Sequence, residues 1–399
     1  MQDRLSKSRR SWAHALLQGG ASFGFLVAAG ACTNAHDGAE QAGEPVNQLA
    51  LEAQAVLDAH QATGQEFVGA AMALHDAAGG DALVTSGTTR PDAEGTAVDP
   101  DVPWVIGSAT KTFVAVVVLQ LAEEKKIDLD ASLEPYFPSL PRASEISVRQ
   151  LLQHTSGLNE YIDAPAVQAN FARSWSPEEL VAVAVGRGAV DEPGAAHHYA
   201  NTNYILLGEL IEQLTSQPWY ESVHARILSP LGMQHTHYSG EPNAPAMGPG
   251  FSLENGVFVD TTRIADASIG GAAGGLQSTA PDLLRFAHAL HEGSLLGAES
   301  WAQMTSFVPA EPRGYVGHVY GLGFEEYTVR DVTIAGHAGS APAHGSFVGF
   351  DPQSGLELAV VANSSEPAPS PLMALEVVGA LTGKDVSPPP ASADPSVNP

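Results

Sequence analysis

Ser108 and Lys111 stand three residues apart at the head of a long apolar run, and they are the first pair in the chain that could do chemistry. On a helix that spacing puts a hydroxyl and an amine on one face, one turn apart. A serine hydroxyl is a weak nucleophile at neutral pH. A lysine desolvated beside an apolar helix loses basicity and can serve as the base that activates it. The helix N-terminus adds backbone N–H groups that favour a developing oxyanion. Serines three residues before a lysine are common on helix surfaces, but this chain has five lysines and only Lys111 has that serine. It also lies in the least polar stretch, where an ammonium without a task is costly.

Tyr199-Ala200-Asn201 is the one Y-x-N in the sequence and directly precedes an expected helix. Its phenol could share a proton with the serine and lysine, and its amide could hold the carbonyl of an acyl group. A turn tyrosine followed by a helix-capping asparagine explains the fragment equally well. His337-Ala338-Gly339-Ser340 falls in a run of C-terminal strands, where a glycine lets a substrate approach as if it were another strand. H-x-G is weak alone, since His36-Asp37-Gly38 and His291-Glu292-Gly293 match it too. No G-x-S-x-G occurs, which excludes the nucleophile elbow of an ordinary alpha/beta-hydrolase. His235-Thr236-His237 and His288-Ala289-Leu290-His291 have spacings a metal could use, but no adjacent carboxylate or cysteine completes a site, so neither metal nor cofactor is expected. His154 reads as a structural loop residue, and His197 and His198 as neighbours that could modulate Tyr199.

In that order, S-x-x-K, Y-x-N and H-x-G resemble the serine beta-lactamase and D-Ala-D-Ala carboxypeptidase superfamily, for which S-x-x-K is a recognised motif. The likeness covers about residues 45 to 383 and takes in Leu151-Leu152-Gln153-His154-Thr155-Ser156-Gly157-Leu158, Pro230-Leu231-Gly232-Met233, Gly274-Gly275-Leu276 and Tyr320-Gly321-Leu322-Gly323. These stretches resemble the beta-lactamase-related branch, which holds class C enzymes, DD-peptidases and esterases. The resemblance implies that Ser108 is acylated, that Lys111 and Tyr199 shuttle its proton, and that Asn201 contacts the substrate. It further implies that His337 and Gly339 line the far wall and that the N–H groups of Ser108 and Ser340 form the oxyanion hole. Which of Lys111 and Tyr199 is the base stays open. Class C beta-lactamases usually carry lysine at the third motif. His337 is charged only below about its reference pKa of 6.5, so a fixed cation for a substrate carboxylate is missing. The expected activity is hydrolysis of a small peptide, amide or ester, with D-alanyl carboxypeptidase or esterase favoured. A beta-lactamase, or a catalytically inactive envelope protein that binds peptidoglycan or self-assembles, are the alternatives.

The elements that must position these residues imply an α+β fold. Residues 46 to 62 have helical spacing, Phe67 to His75 and Ala82 to Thr88 read as a hairpin, and Val102 to Ile106 leads into Thr110 to Glu124. That last segment is apolar almost all round. Its length without a turn signal favours a buried central helix over a strand. From about 130 to 300 helices and loops are expected, at Val148 to Gln153, Pro177 to Val185, Asn203 to Thr215, Trp219 to Ile227 and Pro281 to His291. Strands return only afterwards, at Tyr320 to Val329, Val332 to Ala335, Gly345 to Phe350 and Leu356 to Ala362, with a last helix near 370 to 381. Strands at both ends with helices between predict an antiparallel sheet built from both chain ends, flanked by helices, with an inserted, mainly helical domain.

The 399 residues are 44% hydrophobic and 16% charged, a globular composition. A formal charge of -27, from 45 acids and 18 bases, repels phosphate backbones and argues against nucleic acid as a partner. Residues 1–32 have a basic stretch (Arg4, Lys7, Arg9, Arg10), an apolar stretch and the small residues Ala29, Gly30 and Ala31, the layout of a signal peptide. Export to the cell envelope is expected. The single cysteine, Cys32, rules out an internal disulfide and sits where a lipobox would be lipidated, giving membrane attachment through residues 33–45. Signal-peptidase cleavage after Ala31, releasing a soluble protein, is the competing reading. Residues 46–383 are expected to form the beta-lactamase-like hydrolase domain that the resemblance implies, and the Pro-, Ser- and Asp-rich stretch 384–399 is expected to be a disordered tail.

Overall fold

The computed structural model describes residues 47–312, 314–364 and 371–388. The expected signal peptide, Cys32 and its lipid, the tether at 33–45 and the tail beyond residue 388 lie outside the described residues.

Both chain ends build one sheet. Helix α1 (Gln48–Ala62) is capped by Asn47 and leads to β1 (Gly69–His75) and β2 (Asp81–Gly87). The sheet is completed by β3 (Val308–Pro309), β4 (Gly317–Tyr320), β5 (Glu325–Val329), β6 (Val332–Ala341), β7 (His344–Phe350) and β8 (Glu357–Ala362). Its eight strands run in the order β2-β1-β8-β7-β6-β5-β4-β3, every pairing antiparallel. Alternation along β1 sets the layers. Ala70, Met72 and Leu74 face α1 and α6 (Pro371–Thr382), while Ala71 and Ala73 join the larger core with the interior helices.

Helix α2 (Thr110–Glu123) runs through that larger core, with every residue from Thr110 to Leu119 buried and Phe113 stacked on Phe286 at 3.8 Å. A helix apolar on all faces can only be stable when surrounded. It is surrounded by α3 (Asn201–Thr215), α4 (Ala267–Gly274) and the sheet. Helices α3 and α4 approach closely because a Cβ on Gly208 would lie 2.6 Å from that of Ala272. Helix α5 (Ala280–His291) lies over β1, β7 and β8.

The expected helices are present, and three strand expectations need correction. Strands do not wait until residue 300. Leu276–Ser278 and His237–Tyr238 join Trp104–Val105, which lies in the expected extended segment Val102 to Ile106, in a small separate sheet, and Phe251–Glu254 pairs with Val257–Asp260. The second pair turns at Asn255-Gly256, both at positive φ (51° and 80°), which is the Asn-Gly hairpin signature. The expected strand Tyr320 to Val329 breaks at Gly321-Leu322-Gly323, because Gly323 has φ 70° and its backbone packs onto α2, with a Cβ there falling 2.5 Å from that of Ala115. Conversely β6 continues past Ala335 to Ala341, through glycines that disfavour a strand in isolation. Gly336 pairs with Gly349, where a side chain would strike the carbonyl of Val348 at 2.1 Å. No described helix is long and apolar enough to cross a membrane.

Candidate active site

Ser108 sits on a single 3-10 turn, Gly107–Ala109, that feeds into α2. The turn is clamped on both sides. The Ile106 N–H donates to Leu276 O at 2.9 Å, and Ser346 Oγ donates to Ile106 O at 2.7 Å. Gly107 has φ 53°, and a Cβ there would lie 2.5 to 2.7 Å from backbone atoms of Ser340. Glycine is therefore required twice over, for the left-handed backbone and for the approach of β6.

Lys111 is completely buried. Its Nζ lies 3.0 Å from Ser108 Oγ, 2.7 Å from Asn201 Oδ1 and 2.7 Å from the Ala273 carbonyl at the end of α4. Burial brings its pKa down to about 7, against the opposing pull of the Glu160 and Glu325 carboxylates. Two of the three neighbours are oxygens that only accept, and the third is a hydroxyl that can also donate. A neutral amine has two N–H bonds and one lone pair. Giving both N–H bonds to Asn201 and Ala273 leaves the lone pair on Ser108 Oγ.

Asn201, the first residue of α3, is held by Glu160. That carboxylate accepts from the Asn201 N–H at 2.6 Å and from Nδ2 at 3.0 Å, and its other oxygen accepts from the Ile162 N–H at 2.8 Å. With Nδ2 committed to Glu160, Oδ1 must face Lys111. Burial raises the Glu160 carboxyl above its ordinary range, partly offset by these N–H groups and by Lys111. Sequence reasoning missed Glu160. The available signal was a carboxylate two residues past Leu158, followed at once by the apolar pair Tyr161-Ile162.

Tyr199 places its ring 4.8 Å from Lys111 Nζ and stacks on His154, centroids 4.2 Å apart. His154 is fully buried at φ 58°, and its Nδ1 accepts from the Ala200 N–H and Asn203 Nδ2, fixing the entry into α3. Burial pushes its pKa well below 6.5 and keeps it neutral.

The third motif sits differently from expectation. His337 is completely buried, on the face that Ala335 and Val348, the β7 partner of His337, turn to the α2 core, with Nε2 3.0 Å from Tyr320 Oη and Nδ1 3.4 Å from a Glu325 oxygen. It lines no wall of the cleft. Gly339 admits the protein's own backbone rather than a substrate, since its Cβ would fall 1.8 Å from Ile106 O. Ser340 does reach the cleft beside Ser108. The Ala338 N–H points off the β5 edge to Glu325, so the Ser340 N–H, two residues on, points to the same edge, beyond the last β5 pairing at Gly336. The Ser340 N–H is thus turned to the strand edge that borders the cleft beside Ser108.

The cleft, about 150 Å3, is bounded by Ser108, Asn201 and Ser340 at one end and by Tyr161, Phe171 and Ile264 among its apolar walls. Among the described residues no lysine or arginine lines it, and Asp266 is its only carboxylate. His344, also on the wall, is brought down to about 4 by burial and carries no charge at neutral pH.

Comparison with known proteins matches the family described as Beta-lactamase over residues 57–381. A D-stereospecific amidohydrolase from Streptomyces sp. superposes with a TM-score of 0.71 at 31% identity, covering 83% of this chain and 98% of the other. The D-amino acid amidase of Ochrobactrum anthropi SV3, complexed with L-phenylalanine amide, gives a TM-score of 0.78 at 28% identity, covering 84% and 99%. The teichoic acid D-alanine hydrolase of Staphylococcus aureus is 27% identical over 186 residues, 46% of this chain and 45% of that protein. The chain spans about half the length of the curated relatives it matches.

Proposed function

Because the chain belongs to the Beta-lactamase family, we propose that it is a serine hydrolase that cleaves D-amino-acid amides and esters through an acyl-enzyme on Ser108. The observation that carries this reading is the three-way setting of Lys111 Nζ, which leaves a lone pair for the Ser108 hydroxyl and a pKa near 7 to use it. Lys111 takes the proton as Oγ bonds to the substrate carbonyl. The oxyanion that forms is met by the N–H groups of Ser108 and Ser340. Collapse breaks the bond to the amine or alcohol, which leaves with the proton held on Lys111. Water, deprotonated by the same amine, then attacks the ester carbonyl, and as the C–Oγ bond breaks Lys111 returns that proton to Ser108 Oγ and the acid product leaves. Tyr199 stays beside Nζ throughout as a face on which the ammonium can rest.

Three similar proteins bear names that specify a D-configured amino acid or D-stereospecificity, which supports the D preference. The cleft supports an acyl donor without a carboxylate, since no lysine or arginine among the described lining residues is placed to hold one. That disfavours a penicillin, whose recognition depends on its carboxylate, and disfavours a peptide ending in free D-alanine.

The test is a substrate panel read as kcat/KM. D-phenylalanine amide and D-alanyl esters are expected to exceed their L enantiomers and a chromogenic cephalosporin by at least tenfold. Faster turnover of the cephalosporin, or of an acyl-D-alanyl-D-alanine peptide, would overturn the substrate assignment.

A further inference from the structure

Far along the sheet from Ser108, β1 and β8 bring together a second set of side chains. His75 stands opposite Glu357 in the β1–β8 pairing and opposite Asp81 in the β1–β2 pairing. Residues directly opposite share a face. The face is that of Ala73 and Ala359, beneath α5, whose last turn carries His288 and His291. The carboxylate of Glu357 is buried, its side chain 2% exposed, and each oxygen meets one of these imidazoles. His288 Nδ1 is 2.9 Å from Oε2 and His291 Nδ1 is 2.8 Å from Oε1. His75 meets the His288 ring edge-on, centroids 5.2 Å apart. The carboxylate that sequence proximity could not supply comes from 69 residues beyond His288.

We propose that His75, His288 and Glu357 bind a divalent transition ion of the zinc class, with His291 and Asp81 as the groups that orient them. Ligand atoms of the three residues lie within 4.8 Å of one another. Neighbouring ligands on tetrahedral zinc are about 3.3 Å apart, so closure takes rotamer adjustments of about 1 Å. Two features distinguish the set from histidines that merely neutralise a buried acid. His75 Nδ1 is held by Asp81 Oδ1 at 2.8 Å, which commits Nδ1 and leaves Nε2 as the ligand atom, the carboxylate-to-histidine arrangement seen behind metal ligands. The second oxygen of Glu357 is fixed by His291, whose ring stacks on Phe350 at 4.4 Å, so the first oxygen has a set direction. Two imidazoles and one carboxylate suit zinc and exclude calcium or magnesium, which take all-oxygen shells. The His288 side chain is half exposed, which leaves the fourth position to water. Coordination takes the neutral imidazole of His288 in the tautomer whose proton sits on the nitrogen away from the ion. The ion would tie the end of α5 to the two strands contributed by opposite ends of the chain.

The experiment uses protein stripped with a chelator, titrated with zinc chloride by calorimetry and by equilibrium dialysis with metal analysis. Thermal melts with and without zinc run alongside. Wild type is expected to take up one zinc per chain and to melt higher with it. His75→Ala and His288→Ala should each lose at least 100-fold in affinity together with the zinc-dependent rise in Tm. Asp81→Asn should lose about 10-fold, because it acts through His75. Glu357 is left intact, since removing so buried a group would test folding instead. His235→Ala, elsewhere on the surface, should bind as wild type. Zinc uptake in His75→Ala and His288→Ala equal to wild type would mean an adventitious ion only, and that result, or no stoichiometric uptake by wild type, overturns the proposal.

Discussion

Replacing Glu160 by glutamine removes its charge and keeps its hydrogen bonds to Asn201, losing only the one that its second oxygen accepts from the Ile162 N–H. A glutamine carbonyl can still accept from the Asn201 N–H and Nδ2, so Asn201 keeps its orientation, but the negative charge that favours the protonated form of Lys111 is gone. The bonds of 2.7 Å and 3.0 Å on either side of the Asn201 amide keep the two charges about 7 Å apart. At an effective dielectric of about 20, unit charges at that distance interact by about 2.4 kcal/mol, which corresponds to a little under two pH units. The sign follows from Lys111 being the base. Losing a nearby carboxylate destabilises the ammonium, its pKa falls, and the free amine is present at lower pH. In the pH dependence of kcat/KM, which reports free-enzyme groups, the acid limb should lie near 7 in wild type and move down by 1 to 2 units in Glu160→Gln. An unmoved limb, or one shifted upward, would refute the assignment of Lys111 as the base and of Glu160 as the charge that tunes it.

Gly107→Ala forces a left-handed residue to carry a Cβ 2.5 to 2.7 Å from the Ser340 backbone. We expect a loss of at least 1 to 2 kcal/mol by denaturant melts and, because Ser108 and Ser340 move apart, about 100-fold or more in kcat/KM. A variant as active and stable as wild type would show that the turn is not constrained as described. Away from the site, burial would lower the pKa of His60, but hydrogen bonds with Glu376 and Glu66, at 2.5 Å each, raise it to about 9. A raised folded-state pKa gives stability that is complete below the unfolded value of 6.5 and is lost as pH rises through 9. Tm should therefore fall between those values, by the equivalent of about 3 kcal/mol, and Glu376→Gln should flatten that fall; equal slopes in both proteins would contradict it.

The parts of this account that were legible in the sequence are those carried by local pattern. The apolar run after Thr110, interrupted by a lone lysine, located both the central helix and its chemistry, because only a buried helix tolerates that composition. The C-terminal strands were visible as short apolar runs between turn residues. What escaped depended on partners distant in sequence. Helix α4, Ala267–Gly274, is built from small residues with no apolar period, is kinked at Gly271 (φ 44°), and seats Ala272 against Gly208 of α3. His337 was placed on the cleft wall on the strength of its motif, whereas Tyr320 and Glu325 draw it into the interior. Glu160 matched no motif, and its role follows only from where the loop after Leu158 meets the start of α3. The Asn255-Gly256 hairpin is marked in the sequence by its turn residues alone, since the short strands it joins lie among helical neighbours.

The most direct test of Ser108 as an activated nucleophile is the intact mass of the protein after exposure to a fluorophosphonate, wild type beside Ser108→Ala and Lys111→Ala. A single adduct is expected on wild type at neutral pH, none on Ser108→Ala, and labelling of Lys111→Ala slowed by at least 100-fold. A folded wild type that takes no adduct, or a Ser108→Ala variant that takes one, would contradict Ser108 as the nucleophile.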